Sequence, residues 1–267
     1  MIILPVGVER KLSRTPVVTY YLIGANFLVF IYTFFLSDSP EWVILRYGLV
    51  PSRLSFLTFF TSTFLHGGLG HLLGNMLILY VCGRSMEDRL GKLRYILLYF
   101  LGGLAADALH IAVKDPHLQS SIPSIGASGA IAAVTGAFLL SFPRVKIKFF
   151  YFFWIFIPRT GSFRIAAWLV LGFWFLTQAF YGAVTVSVGS GIAFFAHIGG
   201  FLFGFSAALA NERLEKRKAG EEERGEAEAR GVPAREGVEK AEGVQQHAEA
   251  ISVDHNRARR RDEHAGR

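Results

Sequence analysis

The sequence predicts an all-α membrane protein, a bundle of six transmembrane helices followed by a charged, disordered C-terminal tail. Apolar residues make up 52% of the 267 positions, whereas charged residues account for only 18%, less than the roughly 25% that is typical of soluble domains. Six apolar runs approach the length of about 20 helical residues that is needed to cross about 30 Å of hydrocarbon. The third observation is that charged residues are unevenly distributed along the chain.

That distribution divides the chain into two parts. Residues 1–210 contain 15 Lys and Arg against 7 Asp and Glu, and residues 211–267 contain 13 against 14. In the first part the excess cations lie in short loops, so they indicate membrane orientation rather than nucleic-acid binding. The second part has 27 charged residues among 57, so it cannot bury enough apolar surface to fold alone. We predict a six-span domain over 1–210 and a disordered or loosely helical tail over 211–267.

Six apolar runs are the candidate spans. The first is too long for the core of a signal peptide and lacks a small-residue cleavage site, so we expect it to be retained as a span. The second and fourth are short and rich in glycine, but they carry the polar residues discussed below. The six runs cover residues 17–36, 69–83, 93–113, 127–142, 165–181 and 191–210.

Loop charges predict the orientation of these spans. The N-terminal segment and the second and fourth loops together contain 12 Lys and Arg, whereas the first, third and fifth loops contain 3. Because cationic loops stay in the cytoplasm, both termini are expected there. We expect an integral, multi-pass protein of the cell membrane, in contact with membrane lipid.

A run of nine apolar residues, 149–157, lies between Lys148 and Pro158. As a helix it would be only about 14 Å long, too short to span. We expect an aromatic segment in the membrane interface on the cytoplasmic face, with a re-entrant functional loop as the alternative.

Polar residues inside spans are costly and indicate function. His71 and Asn75 are four apart on the second span, so they share one helix face. Ser128 begins the fourth span within GASGA, and His197 follows the start of the sixth within AHIGG. Because the second, fourth and sixth spans all run from outside to inside, the four residues are predicted to lie at similar depth below the outer surface.

This set of residue types is typical of nucleophilic catalysis. A serine hydroxyl needs a base within hydrogen-bond reach, and His197 could serve Ser128 in that way. Glycines on both sides of Ser128 allow a sharp turn, and the helix N-terminus favours a developing oxyanion. Asn75 and His71 add donors for an oxyanion hole. No carboxylate is evident to orient His197, so we predict a Ser/His dyad that requires no cofactor or metal ion.

The packing pattern supports the same pairing. Gly200 and Gly204 form a GxxxG motif in the sixth span, and the fourth span is rich in Gly and Ala. Small residues allow helix backbones to approach closely. Close packing of these two spans would bring Ser128 and His197 together.

With these motifs in order, residues 17–210 resemble the rhomboid family of intramembrane serine proteases. The resemblance implies that Ser128 is the nucleophile and His197 the general base, with His71, Asn75 and the Ser128 N–H as the oxyanion hole. It also implies structural roles for His66, Glu87 and Arg89. The chain departs from many relatives at Ala132, where they carry an aromatic residue, and at Leu57 and Thr58, where they carry Trp-Arg. The motifs that carry the resemblance are GASG at Ser128, AHxxG at His197, GxxxG at Gly200 and Gly204, HxxxN at His71 and Asn75, His66 itself, and EDRLG at residues 87–91.

Two other classes of function remain as alternatives. The first is a catalytically silent, rhomboid-like binder of membrane proteins, although such relatives usually lack the serine or the histidine. The second is a transporter or metal protein that uses His66, His71 and His197, although the spans hold no acidic residue besides Asp107 and the chain lacks HExxH. The favoured hypothesis is a serine endopeptidase whose partners are transmembrane protein substrates, cleaved near their outer ends.

Individual residues also have simpler explanations. Ser128 could serve as a small packing residue, His197 as a buried structural histidine, and His71 and Asn75 as hydrogen-bonding groups within the bundle. Asp107 and His110, three apart on the third span, are expected to form a packing pair, with a place on the substrate path as the alternative. Ser120, Ser121 and Ser124 are expected to be loop residues.

Overall fold

The computed structural model of the chain describes residues 1–113, 123–154, 158–185 and 193–230. Two compact units divide the chain, Met1–Ala210 and Asn211–Arg267. The described residues contain nine α-helices and three β-strands. The helices are α1 (Val17–Ile31), α2 (Pro40–Tyr47), α3 (Phe56–Thr61), α4 (Leu69–Ile78), α5 (Arg84–Leu90), α6 (Lys92–Val113), α7 (Ser128–Ser141), α8 (Ala167–Thr185) and α9 (Phe194–Ala229).

Two helices are extended by π-helical turns. Helix α1 continues through Tyr32–Leu36, and α4 continues through Leu79–Gly83 into α5. Short 3-10 turns at Pro51–Arg53 and Ser62–Phe64 lie on either side of α3. The predicted second span is therefore longer than expected, because the helix that begins at Leu69 does not end at Gly83.

Several helices have the length and composition of membrane spans. Within the described ranges, four helical segments are long and apolar enough to cross a membrane, and a pair bent by 93° would make a fifth if it forms one span. Helix α7, with 14 residues, is apolar but shorter. The chain is therefore a multi-pass membrane protein. The four segments are Val17–Leu36, Lys92–Val113, Ala167–Val184 and Phe194–Glu226, and the bent pair is Phe56–Phe64 with Leu69–Leu90.

The fold is mostly helical, but the prediction of an all-α protein is wrong. Strands β1 (Ile2–Val8), β2 (Lys146–Phe153) and β3 (Arg159–Ala166) form an antiparallel sheet in the order β1-β2-β3. Residues 149–153 of the aromatic run 149–157 belong to β2, and residues 155–157 lie outside the described residues.

The sequence around β2 explains the strand. Ile147 is buried while Lys146 and Lys148 on either side are exposed, which is the alternation of a half-buried strand. Aromatic side chains favour strands, and the ring of Phe149 stacks on that of Phe163 in β3, 5.3 Å away. The length of the run is too short for a helical span but sufficient for a strand, whose pairing partners come from two other parts of the chain.

The beginning of the charged tail is helical. Helix α9 continues through residues 211–229, which belong to the predicted tail. Glu, Lys, Arg and Ala are strong helix formers, and Asn211 donates to Glu215 one turn later, at 2.8 Å. Residues 211–229 therefore follow the helical alternative of the prediction for the tail, while the prediction for 231–267 lies outside the described residues.

Helix α7 forms the centre of the first unit. All ten residues from Gly129 to Phe138 are buried. A Cβ atom added at Gly200 or Gly204 of α9 would overlap the carbonyl oxygens of Gly129 and Ala133, respectively. The predicted close approach of the fourth and sixth spans is confirmed, and it depends on glycine at these positions.

The acidic pair on α5 joins the N-terminal segment to the bundle. The Glu87 carboxylate accepts hydrogen bonds from Val18 N, Thr19 N and Thr19 Oγ1, at 2.8 to 2.9 Å. These bonds cap α1, whose N-cap residue Pro16 offers no side-chain acceptor. Asp88 forms an ion pair with Arg10 at 2.7 Å.

Arg89, which shares the predicted structural role, lies with its guanidinium over the Phe142 ring, 5.6 Å from the centroid. Through this contact Arg89 connects α5 to the residue that follows α7. Together with the contacts of Glu87 and Asp88, this contact agrees with a structural role for the EDRLG segment.

Candidate active site

Ser128 is the first residue of α7, and the chain reaches it through a sharp turn. Gly126 has a φ of 118°, in the left-handed region that favours glycine. Its backbone N–H donates to Ser62 O at 2.9 Å, and Ser124 exchanges two backbone hydrogen bonds with Leu49. The segment before Ser128 is therefore anchored at two points, and the serine lies where the helix N–H groups are unpaired.

His71 and Asn75 lie on α4 against this turn. A Cβ atom at Gly126 would come within 2.8 Å of His71 Cε1 and 3.7 Å of Asn75 Nδ2. Only glycine allows the backbone to approach the imidazole so closely. The structure thus places both predicted oxyanion donors beside the turn that precedes Ser128.

His197 lies in the first turn of α9 and contacts Ser128 directly. Its Nε2 is 2.9 Å from Ser128 Oγ, although 69 residues separate them in the chain. Gly200, one turn further along α9, lies against the backbone of Gly129. The close packing of α7 and α9 therefore brings together the serine and the histidine that the sequence predicted as a pair.

The other ring nitrogen of His197 has a partner that the sequence analysis missed. Gln178 on α8 is 8% exposed, and its Oε1 lies 2.7 Å from His197 Nδ1. One turn earlier on α8, the ring of Trp174 lies 5.8 Å from the imidazole. Helix α8 thus supplies both a hydrogen-bond acceptor and an aromatic neighbour for His197. The aromatic neighbour comes from α8 rather than from position 132 of α7, where this chain has alanine.

Gln178 could have been found in the sequence. It is an amide in the middle of an apolar run, four residues after a tryptophan, and a buried amide needs a hydrogen-bond partner. An amide is neither ionisable nor nucleophilic, so it does not stand out among candidate catalytic groups.

His66 is buried beneath the oxyanion donors. Its Nε2 lies 3.0 Å from Asn75 Nδ2, and its Nδ1 lies 3.3 Å from Phe64 O. Because a carbonyl oxygen only accepts, Nδ1 carries the hydrogen and Nε2 accepts from Asn75. His66 therefore orients the amide of Asn75 and leaves its second N–H available, in agreement with a supporting role.

The remaining polar candidates lie elsewhere. Asp107 and His110 are on α6, where His110 is buried. The backbone N–H and carbonyl of Ser124 pair with those of Leu49. Ser120 and Ser121 fall outside the described residues. At the position of the Trp-Arg pair, Leu57 is exposed and Thr58 donates to Ser55 O.

Metal ligation was an alternative use of the histidines. In the parts of the chain that the structure describes, no group of three or more His, Cys, Asp or Glu side chains is placed to hold a metal ion. The rings of His66 and His71 do meet edge to face, with centroids 4.9 Å apart. His197 instead uses its two nitrogens for Gln178 and Ser128.

A known domain family and several known proteins are similar to this chain. The Rhomboid domain family matches residues 53–212, which is more than half of the chain and includes all the site residues described above. Rhomboid protein 1, mitochondrial, of Saccharomyces cerevisiae is 30% identical over 212 residues, which cover 74% of this chain and 56% of that protein.

Two further relatives carry similar names. Rhomboid-related protein 2 of Mus musculus is 30% identical over 74% of this chain and 65% of its own length. RHOMBOID-like protein 4 of Arabidopsis thaliana is 35% identical over 54% of this chain and 31% of its own length. The chain therefore spans less than two thirds of the length of these relatives. With a matching domain over most of its apolar region, the chain belongs to the rhomboid family.

Proposed function

We propose that the protein is an intramembrane serine endopeptidase that cleaves transmembrane segments of other membrane proteins near their outer ends. The observation that carries this proposal is the 2.9 Å contact between Ser128 Oγ and His197 Nε2. A hydroxyl and an imidazole at hydrogen-bond distance, on the end of a buried helix, form the minimal unit for nucleophilic catalysis.

In the first step, Ser128 Oγ attacks the carbonyl carbon of the scissile peptide bond while His197 Nε2 takes the hydroxyl proton. The resulting oxyanion would lie at the N-terminus of α7, where the Ser128 N–H, the free N–H of Asn75 and the side chain of His71 can donate to it. Such preorganised donors stabilise charge that develops in the transition state.

The second half of the reaction returns the enzyme to its starting state. The C–N bond breaks as His197 gives its proton to the leaving amine, and an acyl ester remains on Ser128. A water molecule, deprotonated by His197, then attacks the ester, and the released serine oxygen recovers the proton. Water must therefore reach the site, which requires a cavity open to one face of the membrane.

We further propose six spans with both termini in the cytoplasm of a cell-membrane protein. In this arrangement, Phe56–Phe64 with the helix from Leu69 forms the second span and α7 the fourth. With 14 residues, α7 is about 21 Å long. If its C-terminus meets the cations that follow at the cytoplasmic interface, Ser128 lies roughly 9 Å below the outer edge of a 30 Å hydrocarbon core.

The dyad is tested by substitution and by active-site labelling. Ser128→Ala and His197→Ala should each abolish cleavage of a single-span substrate in proteoliposomes. The double variant should lose little more, because groups that act as one unit are strongly non-additive. A fluorophosphonate probe, which forms a covalent adduct with an activated serine, should label the native protein and not Ser128→Ala.

Two outcomes would contradict the proposal. Labelling or cleavage that persists in Ser128→Ala would show that another residue is the nucleophile. A folded native protein that neither labels nor cleaves would favour the silent binder of membrane proteins. Ser141→Ala, at the other end of α7, provides a matched control for the loss of a serine hydroxyl.

A further inference from the structure

We propose that Gln178 is a positioning residue for His197, whose side-chain carbonyl holds the imidazole in the tautomer that leaves Nε2 free to take the Ser128 proton. This inference rests on the proposed function, because it assigns Gln178 a part in the same reaction. The two contacts of the ring are 2.7 Å at Nδ1 and 2.9 Å at Nε2. Both ring nitrogens are therefore engaged, one by each neighbouring helix.

The direction of these hydrogen bonds follows from groups on α8. Thr177 Oγ1 lies 2.6 Å from Trp174 O, and because a carbonyl has no hydrogen, the hydroxyl must donate. Its lone pairs then face Gln178 Nε2, which donates to Thr177 at 3.4 Å. This arrangement places the amide nitrogen of Gln178 toward Thr177 and its carbonyl oxygen toward His197.

The tautomer of His197 follows from that orientation. A carbonyl oxygen only accepts, so His197 Nδ1 must carry the hydrogen that lies between it and Gln178. A neutral imidazole has one donor and one acceptor nitrogen, which leaves Nε2 as the acceptor for the Ser128 hydroxyl. The chain of four hydrogen bonds from Ser128 to Trp174 therefore runs in one direction, and it is the direction that a general base needs.

Gln178 occupies the position that a carboxylate has in a serine protease triad. In the described residues, no Asp or Glu side chain is hydrogen-bonded to His197. A neutral carbonyl orients the ring but stabilises the imidazolium less than a carboxylate does, because it carries no full charge. The tilted ring of Trp174, at 5.8 Å, limits rotation of the imidazole from the side of α8.

Two substitutions separate this role from simple packing. Gln178→Met keeps an unbranched side chain of similar length but removes the acceptor, so kcat should fall about 10- to 100-fold with little change in KM. This is part of the roughly 10²- to 10⁴-fold effect of a general base. Gln178→Glu keeps an acceptor and adds charge, so it should retain most of kcat.

The pH profile provides the readout that packing would not move. A carboxylate at position 178 favours the imidazolium, so the acid limb of the kcat profile should shift to higher pH in Gln178→Glu. Thr135→Val is the matched control, because it also deletes a buried polar group, the hydroxyl that donates to Ala132 O, without touching the dyad. Its kcat should stay within about twofold of the native value when it is folded, as expected for a site with no part in the reaction.

The tautomer can be measured without any turnover. Solid-state ¹⁵N spectra of histidine-labelled protein in bilayers, compared with those of His197→Gln, identify the His197 signals. The native protein should show a protonated Nδ1 and an unprotonated Nε2, and Gln178→Met should show a mixture of the two tautomers. Ser128→Ala should retain the native tautomer, because the bond to Gln178 is intact.

The outcomes separate this inference from the proposed function. A native His197 protonated at Nε2, or full kcat in Gln178→Met, would overturn the role of Gln178 and leave the dyad standing. Absence of cleavage and labelling in the native protein would overturn the proposed function, while the spectra would still decide whether Gln178 sets the tautomer.

Discussion

Helices α7 and α8 both contribute to the candidate site, but they are packed in opposite ways. On α7, every residue from Gly129 to Phe138 is buried. On α8, Trp168, Phe173 and Leu176 are 54%, 71% and 65% exposed. The nucleophile thus belongs to a helix that its neighbours enclose, whereas the orienting amide belongs to a helix with a large exposed apolar face.

The residue types on the two helices account for this difference. Gly and Ala on α7 allow neighbouring backbones to come into direct contact, and every such contact fixes the position of the helix. Large aromatic side chains on α8 extend outward, as expected of a helix that faces lipid. An added methyl group where α9 meets α7 should therefore lower stability, whereas the same addition at an open position of α8 should not.

Apart from the loss of the dyad itself, the largest effect is expected for Asn75, the half-buried amide on α4 beside the turn that precedes Ser128. Asn75→Ala removes an oxyanion donor that His66 orients, and loss of one such donor costs about 2.7 to 4 kcal/mol, or roughly 10²- to 10³-fold in kcat. Rates of substrate cleavage in proteoliposomes measure the effect. It should exceed that of Gln178→Met, because the latter alters only the orientation of the base.

Asn26 on α1 provides the matched control. It is fully buried and donates to Leu22 O, a residue that has no proposed part in the reaction. Asn26→Ala should lower stability and leave kcat per folded molecule unchanged. Equal losses of kcat in both asparagine variants would mean that the Asn75 effect comes from packing.

Two glycines, one on α9 where it meets α7 and one on α8, test the difference in packing. A Cβ atom at Gly204 of α9 overlaps the Ala133 carbonyl of α7, whereas one at Gly172 of α8 meets nothing within 4 Å. Gly204→Ala should therefore lower the free energy of unfolding by about 1 to 3 kcal/mol, as overpacking does. Gly172→Ala should leave it unchanged or raise it by up to about 1 kcal/mol.

Reversible unfolding in mixed micelles measures both values. Because the same methyl group is added to a helix in both variants, differences in helix propensity cancel. Similar changes in the two variants would contradict the view that α7 is fixed by backbone contact and α8 is not.

The enclosed part of the site was the part that could be predicted from the sequence. Ser128 and His197 stand out because hydroxyl and imidazole groups are costly in apolar runs, and the glycines of α9 indicated which spans pack together. The prediction that the four polar residues lie at a common depth rests on the loop charges alone. These signals are local, so each could be recognised without knowledge of the fold.

The contribution of α8 and the sheet could not be recognised in the same way. An amide such as Gln178 gains its meaning only from the nitrogen that it faces, which belongs to another helix. Strand β2 pairs with β1, which lies more than 100 residues earlier at the N-terminus, and with β3, which begins just after Pro158. Its aromatic residues are equally compatible with a membrane interface. Non-local pairing was therefore the missing information in both cases.

The smallest effect is expected for the charged extension of α9. The closest contacts of α9 with α7 are made by the backbones of Gly200, Phe201 and Gly204. Among the α9 residues whose burial the structure describes, Ala208 is the last buried apolar residue, and it precedes Asn211. Truncation after Asn211 should leave the cleavage rate in detergent within tenfold of the native rate, equivalent to less than about 1.4 kcal/mol in the barrier.

Charge reversal of exposed residues in 212–224 of the full-length chain is the control, because it alters the extension without shortening the helix. A larger loss in the truncated protein, with the unfolding transition unchanged, would show that the extension takes part in turnover, whereas loss of the transition would show that α9 needs the extension to stay helical. The latter result would mean that the glycines at the centre of α9 are not sufficient to fix its position. In that respect α9 would resemble α8 more than α7.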